Sequence, residues 1–488
     1  MTLELTLSVD RSPIPLGSEI PTRLTLKNAG DAEVEVASLF DNNTITNYVL
    51  SDASDRVIVR VNHVTRQRLR EVMEPRTTDE RPIRLAPGAS EVRSDNFSLY
   101  HWIDVPGVYH LRGLYKWRDR ELVTPPARFE ITRAPLAALD AQWEYHYGEK
   151  FMLNSAWLAE VPAGGFELVL RKSLRFRPSV IQSNAPVFRT HTPIEPRVSF
   201  NRSLMGGGPV WVAWLEAGRF MGIRAAGGSV EAGPFAIAGV PRDGFLVGAP
   251  LLAADGALTC ALGDAQRAEV VLLRLGADGT ELGRSSIPLG VSGVRQLTAL
   301  ADTNGGAWLL ATTDDPHRLY ARAFDPDRLT LGPAELVGES PLPFAALLTP
   351  PVLGEEGYVV TLAVEGPEEC LELTWWSVTD RSAEPAKRER LRFPGAGEIL
   401  RVSGTLDARA QPYFLLRGRK WLRYLNGSIR QWLELGAGSA LDPAGTEQLV
   451  VNQRGDVFLS MGSPGVGLRE RRIHGGHEHD LSDWSESD

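Results

Sequence analysis

The sequence has few of the residues that build common catalytic, metal-binding and membrane-spanning devices. Only two cysteines, Cys260 and Cys370, occur in 488 residues, and a pair so far apart cannot form a zinc ribbon. No apolar run approaches the 18 residues of a membrane-spanning helix. Gly-x-Ser-x-Gly, Walker A, His-Glu-x-x-His and EF-hand patterns are all missing. We therefore predict no catalytic residue, no cofactor-binding residue and no metal ligand, and no membrane partner.

Lysine is also scarce, and the charge balance is acidic. The chain has 52 basic and 61 acidic residues, a net charge of −9, which gives no general attraction to nucleic acid. The segment Ile473–Asp488 contains acids but no Lys or Arg. The first residues alternate as a strand and lack the basic and apolar regions of a signal peptide. We therefore expect a cytoplasmic protein with both thiols reduced.

Residues 1–134 are predicted to be all-β. Leu3, Leu5, Leu7 and Val9 alternate with polar residues, and the same period of two returns at Leu24 and Leu26, at 57–61 and at 109–117. Gly- and Pro-containing turns separate these runs. Several short strands with one apolar face each must cover that face with a second sheet, so we predict a β-sandwich.

The same region resembles bacterial immunoglobulin-like modules. The resemblance rests on Ile14-Pro-Leu-Gly17, Leu24-Thr-Leu-Lys-Asn-Ala-Gly30, Leu85-Ala-Pro-Gly88 and Pro106-Gly-Val-Tyr-His-Leu111. It is similar to the CARDB type and to the intracellular proteinase-inhibitor (BsuPI) type, over about a quarter of the chain. These motifs are strand and turn patterns, so the resemblance implies a fold and assigns no reactive residue.

The remainder of the chain contains a repeat. A glycine turn followed by a strongly apolar strand recurs at Gly165, Gly208, Gly256, Gly306, Gly357, Pro412 (Gln-Pro replaces the glycine) and Gly455. A period of about 48 residues with several strands per unit is typical of a β-propeller, and seven units fit residues 136–472. We predict a linker at 135–140, a seven-bladed propeller at 141–472 and a disordered acidic, His-containing tail at 473–488. A strand around Gln142–Met152 is expected to close the ring against the last blade.

Several groups of polar residues were weighed as candidate sites. His474, His477 and His479 could bind a metal ion, but a Gly- and acid-rich tail does not preorganise ligands. The carboxylate pairs 314–315, 355–356 and 368–369 are predicted to lie in solvated turns rather than at the channel. The other six histidines are scattered. None of these groups is predicted to be a functional site.

Basic and aromatic residues suggest a partner more readily than a reaction. Arginine and lysine cluster at 66–70, 171–177 and 417–423, which we interpret as solvated strand faces or, less readily, as contacts for an acidic protein. The tryptophans of the repeat should pack between blades, but the adjacent Trp375 and Trp376 must point to opposite faces of one strand. One of them is therefore expected to be exposed as a contact for a partner.

Four functions remain open from the sequence. The first is a non-enzymatic binding or scaffold protein with protein partners, in which the tail and two long inter-blade loops, 178–197 and 379–397, would make contacts. The second is a propeller enzyme such as a glycan hydrolase, lyase or lactonase, which would need acids or histidines converging on the channel. The third is a cytosolic peptidase inhibitor, as the BsuPI resemblance implies, and the fourth is a structural subunit. We favour the first, although fold alone does not decide function.

Overall fold

A computed structural model describes most of the chain. The described residues are 2–480, with gaps at 16–18, 40–46, 62–81, 100–102, 104–105, 119, 133–135, 146–150, 162–163, 176–179, 201–208, 227–228, 242–243, 254, 265–267, 366–369, 381–382, 393–398, 408, 420, 427–430, 438–445, 452–456, 464–466 and 475–476. All structural statements below concern these residues.

The N-terminal module is a sandwich of two sheets. Its strands are β1 (Leu3–Val9), β2 (Ile14–Pro15), β3 (Pro21–Asn28), β4 (Val34–Val36), β5 (Asn47–Asp52), β6 (Val57–Val61), β7 (Ile83–Leu85), β8 (Ser90–Asn96), β9 (Gly107–Trp117), β10 (Arg120–Val123) and β11 (Ala127–Thr132), with a 3₁₀ turn at Phe97–Leu99. One sheet has the order β1-β3-β8 and the other β2-β11-β9-β5-β6, while β10 pairs with β9 and β4 with β7. Leu24 and Leu26 are buried while Arg23 and Lys27 are exposed, as period-two alternation requires.

The rest of the described chain forms seven sheets in sequence order. Their strands are β12 (Leu136–Tyr145), β13 (Phe151–Glu160), β14 (Phe166–Arg175) and β15 (Val180–Thr190); β16 (Arg197–Phe200), β17 (Val210–Glu216), β18 (Arg219–Ala226) and β19 (Ser229–Ile237); β20 (Phe245–Leu246), β21 (Leu251–Leu252), β22 (Leu258–Asp264), β23 (Glu269–Leu275) and β24 (Glu281–Pro288); β25 (Val294–Ala301), β26 (Ala307–Thr313), β27 (Arg318–Asp325), β28 (Thr330–Leu331) and β29 (Glu335–Glu339); β30 (Phe344–Leu348), β31 (Tyr358–Glu365), β32 (Cys370–Ser377) and β33 (Lys387–Arg392); β34 (Arg401–Leu406), β35 (Pro412–Arg417), β36 (Trp421–Asn426) and β37 (Gln431–Ala437); β38 (Thr446–Val451), β39 (Val457–Ser463), β40 (Gly467–His474) and β41 (His477–Asp480).

Each sheet is antiparallel, and its strands pair in chain order. In the third sheet the first strand is split into β20 and β21, and in the fourth sheet the last strand is split into β28 and β29. The first strands of neighbouring sheets contact one another in the first three sheets and again in the last three, and β12 of the first sheet contacts β38 of the seventh. The seven sheets therefore close into a ring with their first strands innermost, which is the architecture of a seven-bladed β-propeller.

Apolar cores lie between successive blades. Six clusters join blade one to two, two to three, and so on to six to seven. A middle strand therefore buries both of its faces, and every side chain of β32 and β35 is buried. Strands buried on both faces are continuous apolar runs rather than alternating ones. This is why the repeat was visible in the sequence as apolar runs after each turn.

The boundaries of the propeller differ from those expected. β12 begins at Leu136, inside the segment predicted as the linker, because the Ala- and Leu-rich residues there extend along β13 from Leu136 to Tyr145. At the other end, β40 and β41 pair as a hairpin through Asp480, inside the segment predicted to be a disordered tail. Residues 481–488 lie outside the described residues. Ring closure uses packing of β12 against β38, and both β12 and β13 belong to the first blade.

Two further details of the repeat are corrected. Phe166 begins β14, the third strand of the first blade, whereas the other six landmarks precede second strands. The turn at Gly164 and Gly165 connects β13 to β14, and both glycines have positive φ. The predicted long loops 178–197 and 379–397 contain the outermost strands β15 and β33. Outermost strands are less buried than middle strands, as β24 and β33 show, so no continuous apolar run marks their positions.

Candidate functional site: a cationic outer strand

The outermost strand of the fifth blade carries an unusual concentration of positive charge. β33 has the sequence Lys-Arg-Glu-Arg-Leu-Arg and pairs only with β32. Four of its six residues are cationic, in a chain whose net charge is −9. All four cations are exposed, whereas Glu389 and Leu391 are half-buried. β33 therefore presents a cationic edge to solvent.

Three arginines share one face of this strand. Arg388, Arg390 and Arg392 are two residues apart, so their side chains point to the same side of the sheet. They lie opposite Thr374, Glu372 and Cys370 on β32, respectively. Trp376, on the same face of β32, packs in the core between blades four and five. Arg388, Arg390 and Arg392 thus lie at the outer rim of the groove between these two blades, and we call them the arginine row.

The middle arginine is held by acids of its own blade. Arg390 Nη2 lies 3.0 Å from Glu365 Oε1, and Arg390 Nε lies 3.6 Å from Glu372 Oε2. The Glu372 side chain is only 10% exposed, so the guanidinium neutralises a nearly buried carboxylate. Arg390 therefore has a structural role in the blade.

The flanking arginines have no such partner. In the described part of the chain, neither Arg388 nor Arg392 has a side-chain hydrogen bond or an ion pair. Residues four apart in a strand are separated by about 13 Å, so the two free guanidinium groups bracket Arg390 at that spacing. Guanidinium groups bind carboxylates in a two-pronged geometry and remain charged at all physiological pH values.

Lys387 lies on the opposite face of β33, where an aromatic ring and a carboxylate already bind it. Its Nζ lies 4.4 Å from the centre of the Trp375 ring and 2.9 Å from Glu389 Oε2. The cation–π contact and the ion pair orient the lysine along its own sheet. Lys387 therefore adds positive charge near the row without being free to bind a new group in the same geometry.

The backbone of β33 has an open edge. The carbonyl of Arg392 accepts a hydrogen bond from Trp432 Nε1 of β37, at 3.1 Å, so it points away from β32. Antiparallel strands alternate the direction of their backbone groups, so the N–H and C=O of Arg388 and Arg390 also point outward. The residues with outward backbone groups are therefore the residues of the arginine row.

A second feature joins the sandwich to the propeller. Trp157 of β13 and Val169 of β14 are buried in the same apolar cluster as Tyr48, Leu111 and Phe129 of the sandwich. The neighbouring side chains Ala156 and Leu168 point the other way, into the core between blades one and two. One face of the first blade therefore belongs partly to the sandwich.

A buried carboxylate lies at this junction. Glu167 has no exposed surface and accepts hydrogen bonds from Arg189 Nη2 and Nε, at 2.6 and 2.9 Å. Arg11, from the turn between β1 and β2, approaches Glu167 Oε2 with its Nη2 at 3.5 Å. A buried carboxylate without partners is strongly destabilising, so the two arginines compensate the burial of Glu167. One of those arginines comes from the sandwich.

A third group of buried polar residues lies between blades six and seven. Arg417 of β35 forms an ion pair with Glu447 of β38, with side chains 6% and 5% exposed. Tyr413 donates its hydroxyl to Asp407 Oδ2 at 3.3 Å. Burial, and then the nearby Tyr413, raises the pKa of Tyr424, whose hydroxyl is buried with no hydrogen-bond partner among the described residues. These groups belong to the packing of the ring between blades six and seven.

The residues singled out from the sequence are mostly dispersed. The prediction of an exposed tryptophan is wrong, because Trp375 and Trp376 are 5% and 1% exposed and donate to Ala410 O and Thr361 Oγ1. They point to opposite faces as expected, but each face is covered by a neighbouring blade. Asp314, Asp315, Glu355 and Glu356 are exposed in turns, as predicted.

The basic clusters behave differently from one another. Arg417 is buried, and the guanidinium of Arg423 lies 4.9 Å from the centre of the Trp421 ring. Residues 66–70 and 177, and the pair 368–369, lie outside the described residues. The histidines 474, 477 and 479 lie on the β40–β41 hairpin. The sequence predicts a loop at 379–397, so the arginine row of β33 is missed, although its alternation with Glu389 and Leu391 has the period of a strand.

No helix among the described residues is long and apolar enough to cross a membrane. No cluster of three or more His, Cys, Asp or Glu side chains within them is placed to hold a metal ion. The two cysteines are free and buried in different blades.

Comparison with known proteins adds little beyond the fold. No protein-family model and no curated protein matches the chain. Among solved structures, Hsv2 of Kluyveromyces lactis is similar at 7% identity and a TM-score of 0.33, over 62% of this chain and 98% of that one. A luciferin-regenerating enzyme is similar at 12% identity and a TM-score of 0.32, over 58% and 97%. Both similarities are weak. The chain is nevertheless an all-β protein with a seven-bladed propeller, on the strength of its own sheets.

Proposed function

We propose that this chain is a non-enzymatic, cytoplasmic binding or scaffold protein that holds protein partners with its propeller and its sandwich. The observation that carries the proposal is the shared core at the junction of the two modules. Trp157 and Val169 of the first blade lie among the buried residues of the sandwich, and Glu167 pairs with an arginine from each module.

A junction of this kind has a functional consequence. Interfaces between domains of one chain are usually rather polar and permit relative motion. Here buried aromatic and aliphatic side chains and a fully buried carboxylate span the boundary. A partner that touches both modules therefore meets one preorganised surface, which reduces the ordering cost of binding. An enzyme confined to the propeller channel gains nothing from this arrangement.

We also propose that the sandwich is immunoglobulin-like. Its support is the strand order: the N-terminal segment is divided between the sheets, with β1 beside β3 and β2 parallel to β11. The two sheets have the strand orders β1-β3-β8 and β11-β9-β5-β6, which correspond to the arrangement of immunoglobulin domains. Such modules recognise proteins more often than they catalyse reactions, which agrees with a binding role.

The proposal is tested by capture and reconstitution. Tagged full-length chain is incubated with nuclease-treated native lysate of its source cells, with and without excess untagged chain. We expect a protein that the untagged chain displaces, that binds the purified chain at fixed stoichiometry in isothermal titration calorimetry, and that cross-links to both modules. The proposal is wrong if nothing is displaced, or if the bound molecule is chemically altered during incubation.

A further inference from the structure

We infer that the edge of β33 is a docking site for an extended acidic segment of a partner protein, which adds to the fifth blade as a further strand. This inference rests on the proposed binding function and names the surface and the partner chemistry. The partner segment would carry Asp or Glu at every second position and would pair with β33 along Lys387–Arg392.

The open backbone edge supplies the first half of the argument. β33 pairs with β32 on one side only, and the backbone groups of Arg388 and Arg390 point to the other side. A peptide that adds to such an edge gains main-chain hydrogen bonds irrespective of its sequence. The Arg392 carbonyl already accepts a hydrogen bond from Trp432 Nε1, so the row of unpaired backbone groups on β33 ends beside the sixth blade.

Charge supplies the second half. In an added strand, every second side chain would lie on the same face of the sheet as the arginine row. Acids at every second position would therefore meet Arg388, Arg390 and Arg392 on the same face. Arg390 already forms ion pairs with Glu365 and Glu372, whereas Arg388 and Arg392 have no ion-pair partner among the described residues. The two free guanidinium groups thus select a segment with acids four residues apart.

The fit favours protein over nucleic acid. An added strand matches β33 in backbone pairing and in the spacing of its side chains, neither of which a sugar–phosphate chain reproduces. The chain as a whole is also acidic, with a net charge of −9, and would repel a long polyanion. A charged edge can also serve only to prevent edge-to-edge association of copies, and this explanation predicts no peptide binding.

The test uses full-length protein and defined fluorescent probes. The first probe is a ten-residue peptide of alternating Glu and Thr, and the second is the same peptide with Gln in place of every Glu. The third is an oligothymidine of similar length. Binding is measured by fluorescence anisotropy, and amide hydrogen exchange is followed over β33. The variant is Arg388→Gln with Arg392→Gln, and the matched control is Arg128→Gln with Arg219→Gln, which removes the same charge from exposed sites on β11 and β18.

We expect the alternating peptide to bind wild-type protein, to slow exchange in β33 and to bind the Arg388→Gln/Arg392→Gln variant about tenfold or more weakly. The control variant should stay within about twofold of wild type, and the Gln peptide should bind at least about tenfold more weakly than the Glu peptide. The inference is overturned if the alternating peptide does not bind, if both variants lose affinity equally, or if exchange in β33 is unchanged.

Two further results would also overturn it. Equal binding of oligothymidine, with the same loss in the variant, would make the row a phosphate site. Self-association of the variant with unchanged peptide binding would make the row a guard against aggregation. The proposed function is judged separately: if Arg388→Gln/Arg392→Gln protein still captures its displaceable partner from lysate with unchanged affinity, the scaffold proposal stands and the docking site is wrong.

Discussion

Replacing Trp376 by alanine should be among the most damaging single changes in this protein. The side chain is 1% exposed in the core between blades four and five. A buried tryptophan removes up to about 250 Å² from water, which at about 25 cal/mol per Å² corresponds to about 6 kcal/mol. This is an upper value, because the unfolded chain already buries part of that surface. Measured losses for such truncations are about 3–5 kcal/mol, which we adopt.

The assay is equilibrium unfolding in urea followed by far-UV circular dichroism. Trp376→Ala should lower the unfolding free energy by about 3–5 kcal/mol, part of it from the Thr361 hydroxyl that loses its indole donor at 2.8 Å. Leu282→Ala is the control, because Leu282 is 58% exposed, and its effect should stay within about 0.5 kcal/mol. A loss below about 1 kcal/mol for Trp376→Ala would refute the burial of Trp376 between blades four and five.

A neighbouring glycine sharpens this test. A Cβ at Gly338 of β29 would lie 2.3 Å from ring atoms of Trp376, so Gly338→Ala alone should destabilise by about 1–3 kcal/mol through overpacking. With Trp376 truncated, the added methyl group enters the space that the ring occupied. The double variant should therefore lose less than the sum of the single losses, by about 0.5–3 kcal/mol. Strict additivity would show that the two residues are not in contact.

Three other outcomes follow from buried groups. Arg417→Met should cost about 3–5 kcal/mol in urea unfolding because it leaves Glu447 charged and unpaired, and adding Glu447→Leu should recover most of that loss. Ellman's reagent should label Cys260 and Cys370 only in unfolded protein, because both are buried and burial raises the pKa of the Cys260 thiol; rapid labelling of native protein would contradict this. Burial also raises the pKa of Glu19, so ionisation of this carboxyl group destabilises the folded state as the pH rises. Glu19→Gln should therefore be more stable than wild type at pH 7. In thermal unfolding, the difference in stability should shrink towards pH 4.

The architecture was predictable from the sequence because of how propeller blades bury their strands. The second strands of blades two to six are buried on both faces, so each leaves a continuous apolar run at a regular interval. The first blade departs from this pattern, because its turn at Gly164 and Gly165 precedes the third strand of the blade and not the second. The same property explains the error at Trp375 and Trp376, since opposite faces of a strand are both interior when blades lie on both sides.

The candidate site was not predictable by the same means. In β33 the one apolar residue, Leu391, is only half-buried, so no apolar run marks this strand and the sequence predicts a loop there. Arg388 and Arg392 also become distinctive only when Arg390 is seen to bind Glu365 and Glu372. Those acids are 18 or more residues away in the sequence, and only the pairing of β31, β32 and β33 brings the three charges together. The burial of Glu167 between arginines of two modules was invisible for the same reason.

The position of the sandwich also bears on how the chain emerges from the ribosome. Blades made from consecutive strands can form one after another during synthesis, but an incomplete ring leaves an apolar face open at each end. Exposed faces of that kind promote aggregation of nascent chains. The sandwich is synthesised first and already covers Trp157 and Val169 on the starting blade. During translation, therefore, the starting end of the ring is already partly covered, and the growing end is the more exposed of the two.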